Sequence, residues 1–189
     1  MIIKRLLGLP VLPLYAAYRI GLLEFVTGGR LLALVPGKIG VIWRGAWYRQ
    51  TLSACGEGLY VDWMAAIRTP KTTIGTNVFI GTFCWIGWAH IGNDVMFGGH
   101  VTVLSGARHH DFHRIDIPMT AQQVHLSPVC IDSNVWIGNG AIIMADVAEG
   151  NVVGAGAVVN KTFEARSIIA GAPARPVGRR GSSPGSAPK

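Results

Sequence analysis

A six-residue beat that starts at Ile74 constrains this chain more than any other feature. It reads Ile74-Gly75-Thr76-Asn77-Val78-Phe79, then Ile80-Gly81-Thr82-Phe83-Cys84-Trp85, then Ile86-Gly87. After a slip of one residue it resumes at Ile91-Gly92-Asn93-Asp94-Val95-Met96 and runs to Val103. It stops, and returns as Ile131-Asp132-Ser133-Asn134-Val135-Trp136 and Ile137-Gly138-Asn139-Gly140-Ala141-Ile142. Neither the helical period of about 3.6 nor a plain strand alternation produces this pattern, and a fixed repeat governs the fold that can carry it.

A hexad with an aliphatic residue first and a small or β-branched residue fifth suits a parallel β-helix with three short flat faces per coil. The first residue points inward and stacks on its counterpart one coil on. The fifth (Val78, Cys84, Val95, Val101, Val135, Ala141) also turns inward, near a corner. Gly at the second position is expected to supply the positive φ of a tight corner. Three hexads, roughly eighteen residues, make one coil, and stacked coils bury a core that no single repeat could bury. In-register hexads in this number argue against ordinary parallel strands that happen to carry Ile-Gly pairs. Shortened steps between Ile86 and Ile91, and between Ile143 and Val153, predict local tightening of the coil.

The 189 residues suffice for one domain with a sizeable core. Half are apolar and only 14% charged, so some apolar surface is expected to meet a partner or a membrane. The net charge of +7 is compatible with nucleic acid, anionic lipid or phosphorylated small molecules. Nucleic acid is set aside, because no recognition helix, zinc finger or RNA-binding aromatic signature accompanies the basic residues. Cys55, Cys84 and Cys130 lack metal-type spacing and cannot all pair, which favours a reducing compartment; Cys84 reads as a small buried hydrophobe.

Three segments follow from texture. Residues 1–50 are apolar runs broken by Pro10 and Pro13 and flanked by Arg, Lys, Trp and Tyr, a helical segment that either lies in a membrane interface or packs on the β-helix end. The apolar run Leu6 to Tyr18 is too short to span a bilayer, which takes about 20 residues. Residues 51–177 form the β-helix, with irregular first coils and an extended loop over 104–130. Residues 178–189 are a Gly/Pro-rich flexible tail.

The loop is where function is expected, since a long break in a regular solenoid is an excursion from one face. It opens Leu104-Ser105-Gly106-Ala107-Arg108-His109-His110-Asp111-Phe112-His113 and holds three of the six histidines before Arg114. A neutral imidazole can accept the proton of a poorly nucleophilic hydroxyl as attack proceeds. His90, His100 and His125 are expected to face solvent or to hydrogen-bond within coils.

The hexads, the His-bearing loop, Asn134-Val135-Trp136-Ile137-Gly138, Val153-Gly154-Ala155-Gly156-Ala157-Val158-Val159 and the closing Ala170-Gly171-Ala172-Pro173-Ala174-Arg175 occur in that order. Over roughly residues 51–177 the chain resembles the hexapeptide-repeat acetyltransferases. Within them it looks most like bacterial polysaccharide O-acetyltransferases of the colanic-acid and O-antigen type. The resemblance implies a left-handed coil and acetyl-CoA as acyl donor, with no metal required. A loop histidine would act as general base on a sugar hydroxyl in polysaccharide or glycan biosynthesis. His110, followed by Asp111 and Phe112, fits the family's pattern best; His109 and His113 are the alternatives. It also implies a pantetheine groove along Trp136, Gly138 and Asn139, continuing past Ala155 and Gly156, with Lys161 and Arg175 toward the CoA phosphates or adenine. Trp85 stands where many relatives show Asn facing the acceptor. Relatives form homotrimers, which the implied assembly follows, with a cytoplasmic location that includes peripheral attachment to the inner membrane face. Competing readings are a zinc carbonic anhydrase on the same β-helix, which needs three converging histidines, and a non-catalytic scaffold.

Overall fold

Side chains one residue apart along each short strand point to opposite sides, and the hexad puts the aliphatic one inside. The computed structural model describes residues 9–106 and 110–181 and builds the beat into stacked triangular coils. The first coil is β1 (Ala54–Cys55), β2 (Tyr60–Val61) and β3 (Ala66–Ile67). The second is β4 (Thr73–Ile74), β5 (Phe79–Ile80) and β6 (Trp85–Ile86), and the third β7 (Ala89–Ile91), β8 (Met96–Phe97) and β9 (Thr102–Val103). After the excursion come β10 (Val129–Ile131), β11 (Trp136–Ile137) and β12 (Ile142–Ile143), then β13 (Val152–Val153) and β14 (Val158–Val159). A single bridge from Ile131 to Val147 replaces a strand on the first face of the fifth coil. The last coil carries β15 (Ser167–Ala170), against which β16 (Arg175–Arg179) folds back antiparallel.

Every pairing between coils is parallel, and the strands sort into three faces. The first face holds β1, β4, β7 and β10, the second β2, β5, β8, β11, β13 and β15, and the third β3, β6, β9, β12 and β14. The solenoid has the left-handed β-helix architecture. Its core is the set of inward ladders: Ile74, Ile91 and Ile131 on the first face, Ile80, Phe97, Ile137 and Val153 on the second, and Ile67, Ile86, Val103, Ile143 and Val159 on the third, all buried. Burying each such side chain stabilises the fold by about 1.5–3 kcal/mol. The fifth residues are inside as well, Cys84 among them.

The corner chemistry differs from the sequence expectation. Positive φ falls on the fourth residue of the hexad, at Asn77 (56°), Phe83 (58°), Asp94 (56°), His100 (59°) and Asn134 (60°). The second-position glycines serve close approach instead. A Cβ on Gly81 would lie 2.8 Å from the backbone of Gly98, and one on Gly138 2.6 Å from the Ala155 nitrogen. Tight vertical stacking of the coils excludes a side chain there, and the left-handed turn two residues on is taken by Asn or Asp at three of these five positions, residues that tolerate it, and by Gly at 140 and 156. The shortened step before Ile91 is stitched by Thr72, whose buried hydroxyl donates to the Gly87 carbonyl at 3.1 Å.

Helices α1 (Leu12–Arg19), α2 (Phe25–Ala33) and α3 (Gly37–Thr51) close the open end of the first coil. Trp47 and Tyr48 are fully buried, and Gly28 and Gly29 of α2 leave them room: a Cβ at Gly28 would sit 2.4 Å from the Trp47 ring. The Tyr48 hydroxyl accepts the Ile67 N–H at 3.2 Å, tying α3 to β3. Arg44, also fully buried, donates to the carbonyls of Val61 (3.0 Å), Leu32 (2.9 Å) and Val35 (2.7 Å), so one guanidinium pins α3, the end of α2 and β2 together. Burial lowers its pKa from the ordinary value. Among the described residues no helix is long and apolar enough to cross a membrane, while Ile20, Leu22, Leu34 and Ile39 lie exposed on the helical segment. At the other end, Gly178 and Arg179 pair with Ile168 and Ser167, and the Arg180 N–H donates to Arg166 at 2.7 Å. Folded structure therefore runs past the expected boundary at 177, because the antiparallel return of β16 continues the second face. Residues 182–189 of the expected tail lie outside the described residues.

Candidate active site

The excursion leaves the third face after β9 and returns on the first face at β10. Coil-to-coil partners lie 19 residues apart between the first two coils, as at Ala54 and Thr73, 17 apart between the second and third, as at Thr73 and His90, and 40 apart across the excursion, as at Asn93 and Ser133. Its base is closed by the Ser127 N–H donating to the Ser105 carbonyl at 3.1 Å. Above that, the outgoing and returning strands pair: His110 bridges Val124 in antiparallel fashion, and the Asp111 N–H donates to Gln123 at 2.9 Å. Gln122, buried, donates its amide to the Arg114 carbonyl at 2.8 Å, and Arg114 pairs with Asp116 further out. Asp111 Oδ2 lies 3.2 Å from His125 Nε2, so this carboxylate engages the returning strand.

Backbone pairing therefore sets His110 over the corner between the third and first faces. There it lines a cavity of about 580 Å³ whose walls come from successive coils: Arg68 and Lys71, then Trp85 and Trp88, then Leu104 and Ser105, with Val124 and Leu126 of the excursion. The floor is fixed by the Trp88 N–H donating to the Ser105 hydroxyl at 2.9 Å. The Arg68 guanidinium lies 5.2 Å from the Trp85 ring centroid, and the Lys71 ammonium 5.2 Å from that of Trp88. Indole faces attract cations in this geometry. No described lining residue is acidic, so the cavity is positive and offers one imidazole as proton acceptor. Trp88 Nε1 is buried without a hydrogen-bond partner among the described residues.

The structure unites some of the expected residues and separates others. His110 and Trp85 share the cavity. His113 lines a separate cleft of about 340 Å³ with Asp111, Arg114 and Gln122, and His109 lies outside the described residues. Trp136 is exposed on the second face. Gly138 with Asn139 and Ala155 with Gly156 stack at the corner between the second and third faces, the Gly156 N–H donating to the Asn139 carbonyl at 2.8 Å. The Asn139 side chain is held in the stack, accepting the Gly99 N–H at 3.1 Å. Lys161 is exposed with its ammonium 5.5 Å from the Phe163 ring, and Arg175 donates to the neighbouring Ala174 carbonyl at 2.9 Å. None of these seven lines the His110 cavity; within one chain the two groups flank the third face.

Of the remaining histidines, His90 hydrogen-bonds Thr73 Oγ1 at 2.9 Å and His100 stacks on Phe83 at 4.9 Å. Arg68, Lys71 and Trp88 carry no sequence signal, since each belongs to a corner where the hexad says nothing. Among the described residues, no group of three His, Cys, Asp or Glu side chains gathers as a metal ligand set.

Coils of three short strands, an inward aliphatic ladder and a histidine-bearing excursion define a hexapeptide-repeat left-handed β-helix. Solved structures of that architecture include a maltose O-acetyltransferase from Clostridium difficile 630, 25% identical, with a TM-score of 0.63 over 83% of this chain and 85% of that one. They also include a mutant of AntD, an N-acyltransferase from Bacillus cereus solved with coenzyme A and a dTDP-amino sugar; it is 19% identical, with a TM-score of 0.52 over 69% of this chain and 85% of that one. A Schizosaccharomyces pombe protein provisionally assigned as an acetyltransferase is 35% identical over 99 residues, covering 51% of this chain and 45% of that protein. The chain thus spans less than half the length of that curated relative. No protein-family model matches the chain. The repeat and the fold are those of the hexapeptide-repeat acyltransferases.

Proposed function

We propose that this protein is an acetyl-CoA-dependent O-acetyltransferase acting on a sugar hydroxyl in polysaccharide or glycan biosynthesis, with His110 as general base. The observation that carries the reading is His110 over a cavity of about 580 Å³, on a solenoid of acyltransferase fold. The acceptor hydroxyl gives its proton to the His110 imidazole as its oxygen attacks the thioester carbonyl. The tetrahedral intermediate collapses, the carbon–sulfur bond breaks, and the imidazolium returns the proton to the departing thiolate. Backbone N–H groups are suited to steady the oxyanion in such a step. The likeness to a maltose O-acetyltransferase supports a carbohydrate acceptor. Gly138 and Asn139 over Ala155 and Gly156 would take the pantetheine arm beside Trp136, with Lys161 and Arg175 toward the phosphates.

The assembly proposed is a homotrimer, in which His110 of one copy faces the pantetheine residues of the next. Support comes from the two groups flanking the third face within one chain, and from the exposed apolar stripe Phe79, Met96 and Trp136 on the second face. The location proposed is cytoplasmic, with the exposed Leu and Ile residues of the helical segment offering peripheral attachment to the membrane's inner face. The test is a thiol-release assay with acetyl-CoA across a panel of sugars, followed by mass spectrometry. An acetylated sugar formed one-for-one with free CoA is expected. A chain that binds no acetyl-CoA by calorimetry would instead be a scaffold.

A further inference from the structure

We infer that the acceptor is an acidic sugar, whose carboxylate is held by Arg68 and Lys71 while its hydroxyl meets His110. That the bound sugar accepts an acetyl group rests on the acetyltransferase reading above; the preference for a carboxylate rests on the cavity itself. Arg68 and Lys71 share the corner that leads from β3 to β4, and both line the cavity that holds His110. Two walls of that same cavity place their charged ends. The guanidinium stands 5.2 Å from the Trp85 ring centroid, and the ammonium 5.2 Å from that of Trp88. The backbone between them is pinned along its length. The Arg68 N–H donates to the Ile86 carbonyl at 2.8 Å and the Lys71 N–H to the Thr69 hydroxyl at 3.3 Å. The Pro70 carbonyl accepts both the N–H and the hydroxyl of Ser53, each at 2.8 Å.

These two charges lack a counterion. All 10 Asp and Glu residues of the sequence fall among the described residues, and there none lines the cavity and none pairs with Arg68 or Lys71. Asp111, next to His110 in sequence, lines the other cleft and lies against His125. An indole face attracts a cation without adding a net opposite charge, so the positive field of the cavity survives both ring contacts. Two cations over one cavity repel each other, and an anion bound between them relieves that cost. A carboxylate has two oxygens, and one guanidinium fork with one ammonium meets both. A phosphate monoester has three, which would leave one without a charged donor. The cavity volume of about 580 Å³ is that of a small-ligand site, about 300–1,000 Å³, so the hydroxyl and the carboxylate belong to one sugar unit or to neighbouring units of a glycan. The class is that of the uronic and sialic acids.

The test is NMR titration of the full chain with methyl glucuronide, methyl galacturonide and the methyl glycoside of a sialic acid. Each is compared with its own carboxamide, a neutral isostere. At least one acid is expected to bind about tenfold or more tighter than its amide, as a charge-assisted contact would give, and raising the salt should shrink the margin. Combined Arg68→Gln and Lys71→Gln should erase that margin. Both side chains are exposed, so the variant should keep the wild-type melting temperature. Acids and amides that bind alike across the panel, or a margin that survives in the double variant, overturn the inference. So does tighter binding of methyl glucoside 6-phosphate than of every acid in the panel, which would assign the cations to a phosphate. Loss of acetyl-CoA affinity in the double variant overturns it as well, since the cations would then serve the donor. A preferred acid that is never acetylated would instead overturn the catalytic reading and leave the carboxylate site standing. Acetyl transfer to neutral sugars with no preference for any acid would do the reverse.

Discussion

The regular coils and the excursion between β9 and β10 solve opposite problems. In the coils the strand backbones pair with the coil before or after, and the hexads bury their first and fifth residues. In the excursion most side chains are exposed, Gln122 being a buried exception, and hydrogen bonds close locally, as between Asp111 and Gln123. Stability accumulates where every residue repeats a neighbour's environment. Chemistry needs an environment that occurs once, and a solenoid makes one by leaving its own pattern. The two regions should accordingly respond to mutation in different currencies.

The largest structural effect is expected at the centre of a ladder. Ile137→Ala removes a fully buried side chain stacked between Phe97 and Val153 and should cost about 2–5 kcal/mol in urea unfolding. The surviving folded fraction should turn over normally; equal loss of activity per folded molecule would break the division between coil and excursion. A smaller cost is expected for Gly81→Ala, where the new Cβ meets the Gly98 backbone at 2.8 Å: about 1–3 kcal/mol. If second-position glycines served the corner dihedral, Asn77→Gly would matter as much as Gly81→Ala; stacking predicts that Asn77→Gly is tolerated far better.

The smallest effect is a pH dependence of the core. Burial pushes the Cys84 thiol up to about 11 and the Tyr48 hydroxyl up to about 12. In the unfolded chain these groups ionise at lower pH, so their contribution is complete below the ordinary thiol value near 9 and is lost as pH climbs through about 11. Urea midpoints should thus fall between pH 8 and pH 10.5, and the fall should shrink in Cys84→Ala. An unchanged slope in that variant would assign the alkaline loss elsewhere.

The ladders are legible in the sequence because an inward position on a short strand accepts little but an aliphatic residue, so Ile74, Ile80 and Ile86 declare themselves. The role of the second glycine is not legible, since a residue free to take positive φ and a residue pressed by the next coil are both written Gly. The fourth position did carry a signal: Asn77, Asp94 and Asn134 are residue types that tolerate the left-handed region. The helical cap was legible as apolar texture only. Its seating depends on Gly28 meeting the Trp47 ring and on Arg44 reaching carbonyls up to 17 residues away, contacts with no local period. The excursion announced itself by the failure of the beat. The cavity did not, because Arg68, Trp88 and Ser105 converge from three coils at corners where the hexad constrains nothing.

The central claim, that the excursion supplies the proton acceptor and the coils do not depend on it, is tested most directly by His110→Ala with two readouts on one preparation. The account predicts that acetyl transfer falls by about 10²–10⁴-fold, the contribution of a positioned general base, while the melting temperature and acetyl-CoA affinity stay at wild-type values. Wild-type turnover in His110→Ala would contradict it.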